Sequence, residues 1–333
     1  MLSDLEPFLE TLIGRAFRER PPDIAPWFFD YFAGLREPDG RRRYARALLG
    51  DLWLAGVKPR GRVMVDAGSG FGVTLLCLAR LDARVAVGIE AFPPMAFSFE
   101  HCRREYAPNL PARVVRASVH EIPLASGSVD FVYCNEALSH FLDPHAFLAE
   151  SWRVLGKGGT LMVCDGNNAL NPLTVSQVKQ VWRRFEEGPP AEDFHGHRIE
   201  VPYRERRRAM VADALPGLTE AVVRRLAWGT FGLHGTAVVE RARDLLAAGN
   251  LPKAPPETDR CPVDPDKGDH IENLIDPRDL ARELRSLGFS VRVVPHFGGA
   301  RAKWVAAANR ALRTLGPLSL RWARSVKVVA RKG

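Results

Sequence analysis

The chain has 333 residues, 46% of them hydrophobic and 26% charged, with a formal net charge of +8. That is enough chain for one decorated domain or two, with a full core, so a disordered chain is excluded. No apolar run reaches the roughly 18 residues that a spanning helix needs. A basic protein can partner nucleic acid or an anionic surface. Here Lys and Arg are spread along the sequence, with local runs at Arg41–Arg43 and Arg204–Arg208, so a solvated surface is the favoured reading over a clamp for an anionic substrate.

The N-terminal stretch MLSDLEPFLETLIGRAF carries acids where a signal peptide would carry positive charge, and its apolar spacing predicts an amphipathic helix. The five cysteines form no C-x-x-C pair, and Cys134 and Cys164 sit in apolar runs, which fits a reducing, cytoplasmic setting. Residues 1–58 read as a helical cap, in the pieces LEPFLETLIGRAF, APWFFDYFAGL and RRRYARALLGDLWL. From Gly61 strands and helices alternate. Strands are predicted over Arg62–Asp66, Arg84–Ile89, Arg113–Arg116, Val129–Cys134 and Thr160–Cys164, with helices over Val73–Leu81, Pro94–Tyr106 and Pro144–Leu155. Such alternation predicts a parallel sheet covered by helices on both faces.

Over residues 166–270 the alternation stops. Helices are predicted at Thr174–Glu186, Tyr203–Leu215, Thr219–Ala227 and Ala237–Ala248, between Pro- and Gly-rich joints. The pattern resumes over 271–333 with a helix at Pro277–Leu287 and strands at Ser290–Val294 and Ser325–Ala330. The expectation is a core over 59–165 and 271–333, interrupted by a helical insertion that acts as a lid at the strand ends. His195 and His197, beside Glu192 and Asp193, lack a third ligand at clear spacing, so no metal site is expected.

The chemistry concentrates in VMVDAGSGFGVT, Val63 to Thr74. A pyrophosphate turn reads G-x-G-x-x-G, but the sixth place counted from Gly68 is Val73, and no G-K-[ST] follows to make a P-loop. What stands instead is D-A-G-S-G-F-G, where glycines let the backbone approach a ligand closely. Glu90 ends VAVGIE, 24 residues after Asp66. A carboxylate at a second-strand tip can accept both hydroxyls of a ribose. Further on, SVHEIPL borders a loop and VYCNEALSHF ends a fourth strand at Asn135.

Together these features resemble the class I S-adenosylmethionine (SAM)-dependent methyltransferases, over about residues 58–166 and less specifically 271–332. The resemblance implies an α/β fold, Rossmann-like and three-layered, with a seven-stranded sheet, six strands parallel and the last antiparallel. It implies SAM as cofactor and S-adenosylhomocysteine as product. By its motifs Asp66, Ala67, Gly68, Ser69, Gly70 and Gly72 wrap the methionine part of SAM. Glu90 and Ala91 hold the ribose, and Ser118, Val119 and His120 border adenine. Ser118 departs from the usual aspartate there. Asn135 at the strand tip is a cofactor contact. The candidate bases are His140, in the loop beside the methyl site, and Asp165 at the fifth-strand tip. RVLGKGGTLMV matches the helix, glycine turn and strand that close the motif set.

The tip of the fourth strand reads Asn135-Glu136-Ala137 with no Pro-Pro, and no Pro-Cys nucleophile exists, so nucleic acid is disfavoured as substrate. The expected reaction is methyl transfer to an oxygen or nitrogen of a small-molecule, lipid-linked or sugar-linked acceptor, anionic if arginines line the lid. The alternatives are a SAM-binding protein without methyl transfer and, further off, an RNA or protein methyltransferase; a nicotinamide oxidoreductase fails at Val73. The apolar 1–35 region is expected to dock either onto the lid or onto a second subunit, the latter giving a homodimer.

Overall fold

The computed structural model describes residues 1–189, 192–194, 197–297 and 303–333. Two compact units emerge. The first holds Met1–Leu138, Asp143–Gly166 and Asp276–Gly333; the second holds Ser139–Leu142 and Asn167–Ile275.

The first unit begins with helices α1 (Leu2–Glu19), α2 (Trp27–Tyr31) and α3 (Pro38–Ala55). Strand β1 (Val63–Ala67), helix α4 (Val73–Arg80), strand β2 (Val85–Ile89), helix α5 (Pro93–Tyr106) and strand β3 (Ala112–Val115) follow. Then come β4 (Val129–Asn135), α6 (Pro144–Val154) and β5 (Leu155–Asp165). The second unit contributes α7 (Pro172–Glu187), a hairpin of β6 (Glu192–Phe194) and β7 (His197–Ile199), and helices α8 (Tyr203–Ala214), α9 (Glu220–Gly229) and α10 (Thr236–Ala247). The first unit resumes with α11 (Pro277–Ser286), β8 (Phe289–His296), α12 (Lys303–Leu315) and β9 (Ser325–Lys332).

Seven strands form one sheet in the order β3-β2-β1-β4-β5-β9-β8. The pairs among β1 to β5 are parallel, whereas β9 runs antiparallel to both β5 and β8. The order reverses between β1 and β4, so the crevice beyond their carboxyl ends is the place where such sheets take ligands. This is the seven-stranded Rossmann-like sheet that the family resemblance implies, with β9 as its antiparallel strand.

β1 and β2 are short apolar runs without alternation, because both of their faces are covered. On one face Met64, Phe131, Tyr133, Met162 and Cys164 pack with residues of α1, α3, α4 and α5 into the main core. The N-terminal helices are therefore part of that core. α3 is also tied by polar groups: Tyr44 and Thr74 share a hydrogen bond of 2.6 Å, and buried Asp51 accepts from the Tyr133 hydroxyl at 2.7 Å and pairs with Lys327.

β5 begins at Leu155, five residues before the predicted start. Val129 lies opposite Leu155 and Phe131 opposite Thr160, so the Gly156–Gly159 stretch is accommodated as a shift in register. The turn is thus built into the strand, with Gly158 in the left-handed region at φ 75°.

The second unit has small cores. Val211, Val223, Leu226, Val238, Ala242 and Leu245 join α8, α9 and α10, while Val181, Phe185, Ile199 and Tyr203 join α7, β7 and α8. The Arg204–Arg208 run is not a solvated face, which corrects the favoured reading. Arg207 and Glu186 are both fully buried and paired. Arg206 binds Asp264 and Asp266, Arg204 reaches Glu187 at 3.1 Å, and Arg208 reaches Glu205 at 2.8 Å. The acids that take these arginines are the unit's own. No helix among the described residues is long and apolar enough to cross a membrane.

Candidate active site

The turn between β1 and α4 is made by three glycines with positive φ, Gly68 at 70°, Gly70 at 54° and Gly72 at 70°. At Gly72 the glycine is forced twice over, since a Cβ there would lie 2.2 Å from the buried Phe99 ring. The amides of Gly68 and Ser69 both donate to the Ile89 carbonyl, at 2.9 and 3.2 Å, which ties the turn to the end of β2. Gly88 makes that approach feasible, because a Cβ there would meet the Ser69 hydroxyl at 2.5 Å.

Glu90 stands where the sequence places it, just past β2 and 9% exposed. One carboxylate oxygen accepts from the Gly70 amide at 2.7 Å and the other from the Phe92 amide at 2.8 Å. The acid is therefore held against the glycine turn, and each oxygen keeps acceptor capacity for a hydroxyl. Asp66 is buried at the end of β1. Burial, and secondly the nearby Glu90 charge, push its carboxyl up to about 8. The Ser69 hydroxyl is buried with no partner among the described residues.

Ala67 is buried in β1 and Ala91 is exposed after Glu90. Ser118 accepts from the His120 amide at 3.1 Å, so its hydroxyl shapes its own turn. Val119 is buried; burial pushes the His120 imidazole below its ordinary value, and its Nε2 accepts from the Asp143 amide at 3.4 Å. Asn135 is exposed at the β4 tip, with its side-chain oxygen 3.3 Å from the Tyr133 hydroxyl. Asp165 is 2% exposed at the end of β5.

His140 closes a short 3-10 turn, Leu138–His140. Its Nδ1 lies 2.9 Å from the His270 carbonyl, which can only accept. Nδ1 therefore carries a proton and donates it there, which leaves Nε2 as the nitrogen not engaged by that carbonyl. His195 and the side chain of His197 lie outside the described residues.

Two features escape the sequence. Glu136 is a non-glycine residue in the left-handed region, at φ 50°, directly after β4. Its amide donates to the Cys164 carbonyl at 2.8 Å and its carboxylate accepts from the Gly166 amide at 3.1 Å, so it clips the β4 tip to the β5 tip. Backbone strain of this kind collects at functional sites. The second feature is an aromatic wall. Phe71, in the middle of the glycine turn, packs against Trp27 at 6.3 Å, Phe28 at 5.2 Å and Tyr31 at 6.2 Å, all from α2. The sequence signal was present in G-F-G and PWFFDYF, but nothing local links the two.

The residues fit a nucleoside carrying an amino-acid tail. The close-approach glycines and the Glu90 carboxylate offer bare backbone and acceptors, with acids where a diphosphate would need cations.

Residues 65–163 match the family described as a methyltransferase domain. The chain is 35% identical over 159 residues to an uncharacterised 37.1 kDa protein of transposon TN4556 in Streptomyces fradiae, covering 46% of this chain and 42% of that one. It is 34% identical over 139 residues to the malonyl-[acyl-carrier protein] O-methyltransferase of Laribacter hongkongensis, covering 39% and 45% of the two chains. The chain thus spans less than half the length of these relatives. Among solved structures, a SAM-dependent methyltransferase from Mesorhizobium loti aligns over 87% of this chain and 98% of its own, at 16% identity and a TM-score of 0.46.

Proposed function

From the premise that the chain carries a class I SAM-dependent methyltransferase domain at residues 65–163, we propose that it transfers a methyl group to an oxygen or nitrogen of a small-molecule, lipid-linked or sugar-linked acceptor. The observation that carries this reading is the Glu90 carboxylate bonded to the Gly70 amide at 2.7 Å, which holds the acid at the glycine turn. When bound, SAM supplies an activated methyl on a sulfonium, and the protein supplies placement.

Each residue then has a defined task. Gly68, Gly70 and Gly72 give the amino-acid tail bare backbone. Ser69 ties the turn to β2, and ionised Asp66 compensates the ammonium of the tail. Glu90, with Ala91 beside it, accepts the ribose hydroxyls. Ser118, Val119 and His120 border the base, and Asn135 stands at the methyl end. Asp165 and Glu136 orient the acceptor from the β5 and β4 tips. His140 Nε2 takes the proton that a hydroxyl acceptor must lose, which adds about 10²–10⁴-fold. Holding the accepting atom about 3 Å from the methyl provides much of the remainder.

The test is transfer of labelled methyl from SAM across a panel of hydroxyl, carboxyl and amine acceptors. Labelled product is expected, with His140→Ala cutting turnover while SAM affinity stays within twofold (about 0.4 kcal/mol). Tight SAM binding with no labelled product across the panel would instead favour a SAM-binding protein without transfer.

A further inference from the structure

The basic residues are spread along the chain, but the acids are not. After Glu283 no Asp or Glu occurs, and eleven Lys and Arg do. The preceding residues hold 36 Lys and Arg against 39 Asp and Glu, so the entire positive excess belongs to the last fifty residues.

The same segment holds unusual exposed apolar surface. α12 buries Val305, Asn309 and Leu312. Its second stripe, Trp304, Ala311 and Leu315, is spaced by seven and four and so falls on one side of the helix. Trp304 is 61% exposed and Leu315 52%. The 3-10 segment Gly316–Arg321 and the residue after it expose Leu318 at 81% and Trp322 at 60%. Arg310 and Arg321 are exposed beside it. Two tryptophans and two leucines, with exposed arginines in a segment whose own sequence holds no acid, present apolar surface beside positive charge.

We propose that α12 and the 3-10 segment after it dock on the surface of an anionic lipid bilayer. Trp304 and Trp322 sit at the headgroup level, Leu315 and Leu318 enter the acyl boundary, and Arg310 and Arg321 meet lipid phosphates. Charge complementarity selects this occupant. A second copy meeting the same face would set arginine against arginine. Single-stranded nucleic acid would use the tryptophans as stacking platforms but has no use for exposed leucines. The association is interfacial and needs no spanning helix.

The test is co-sedimentation of the full chain with vesicles of phosphatidylcholine alone or mixed with phosphatidylglycerol. Binding to the mixed vesicles only, weakening as salt rises, is expected. The double variant Arg310→Gln, Arg321→Gln should lower the partition about 25-fold, at about fivefold per arginine. Leu318→Ser with Trp322→Ser should lower it on the same vesicles while leaving SAM binding and the circular dichroism unchanged. Three results would overturn the proposal. They are no binding to the mixed vesicles, equal binding to phosphatidylcholine alone, or a dimer or RNA complex that these variants abolish while vesicle binding persists.

Discussion

The sheet unit and the inserted unit are stabilised in different ways. In the first, a continuous apolar core joins α1, α3, α4 and α5 to the sheet, and the main buried polar tie is Asp51 with Tyr133 and Lys327. In the second, apolar clusters are small and fully buried charges do part of the joining. Glu186 shows the cost. Burial raises its carboxyl despite the Arg207 guanidinium, so desolvation outweighs attraction there. A unit assembled this way is specific in its pairing and sensitive to loss of one partner.

The largest effect is expected in the inserted unit. Arg207→Ala removes the partner of a fully buried carboxylate and should destabilise by about 3–5 kcal/mol. Amide exchange in α7, α8 and α9 should accelerate while β1, β4 and β5 stay protected. A uniform change across both units would break the contrast drawn here. Next comes Gly72→Ala in the sheet unit, where the added carbon meets the Phe99 ring. Steric overlap and a left-handed backbone together should cost about 3 kcal/mol, read from urea midpoints, with SAM affinity lost alongside.

A further prediction concerns pH. Asp66 rises from 3.8 to about 8 in the folded chain. The folded state therefore holds a proton that the unfolded state has released. Stability from this group is fully present below pH 3.8 and is lost as pH rises toward about 8. A cationic ligand reverses the preference by favouring the carboxylate. Affinity for S-adenosylhomocysteine should therefore climb with pH and level off above about 8, with proton release seen by calorimetry in buffers of differing ionisation enthalpy. A flat profile would mean that Asp66 does not face the ligand.

Much of the sheet could be read from the sequence because buried parallel strands are short apolar runs closed by turn residues, as in VMVDAG and VAVGIE. The glycine turn and Glu90 came with them, since both lie at fixed places on such a sheet. Tertiary partnership was not readable in the same way. Arg207 looked like one arginine in a solvated run, and its partner Glu186 lies 21 residues away. Glu136 carries no local signal, and its backbone angle and its bond to the Gly166 amide mark it only in the fold. α12 carries a helical alanine run, AAANRAL, that a propensity argument would have found. The β6–β7 hairpin has three residues per strand, too few for a period to register. The charge skew was open to view but disappears in a single net value.

The central claim is that the turn after β1, together with Glu90, seats a nucleoside bearing an amino-acid tail. Calorimetric titration of the wild-type chain and Glu90→Ala, with S-adenosylhomocysteine and with NADH, tests it directly. The account predicts saturable binding of the homocysteine nucleoside, none of NADH, and loss of most affinity in the variant with its thermal unfolding little changed. Undiminished affinity in Glu90→Ala, or NADH binding the more tightly, would contradict it.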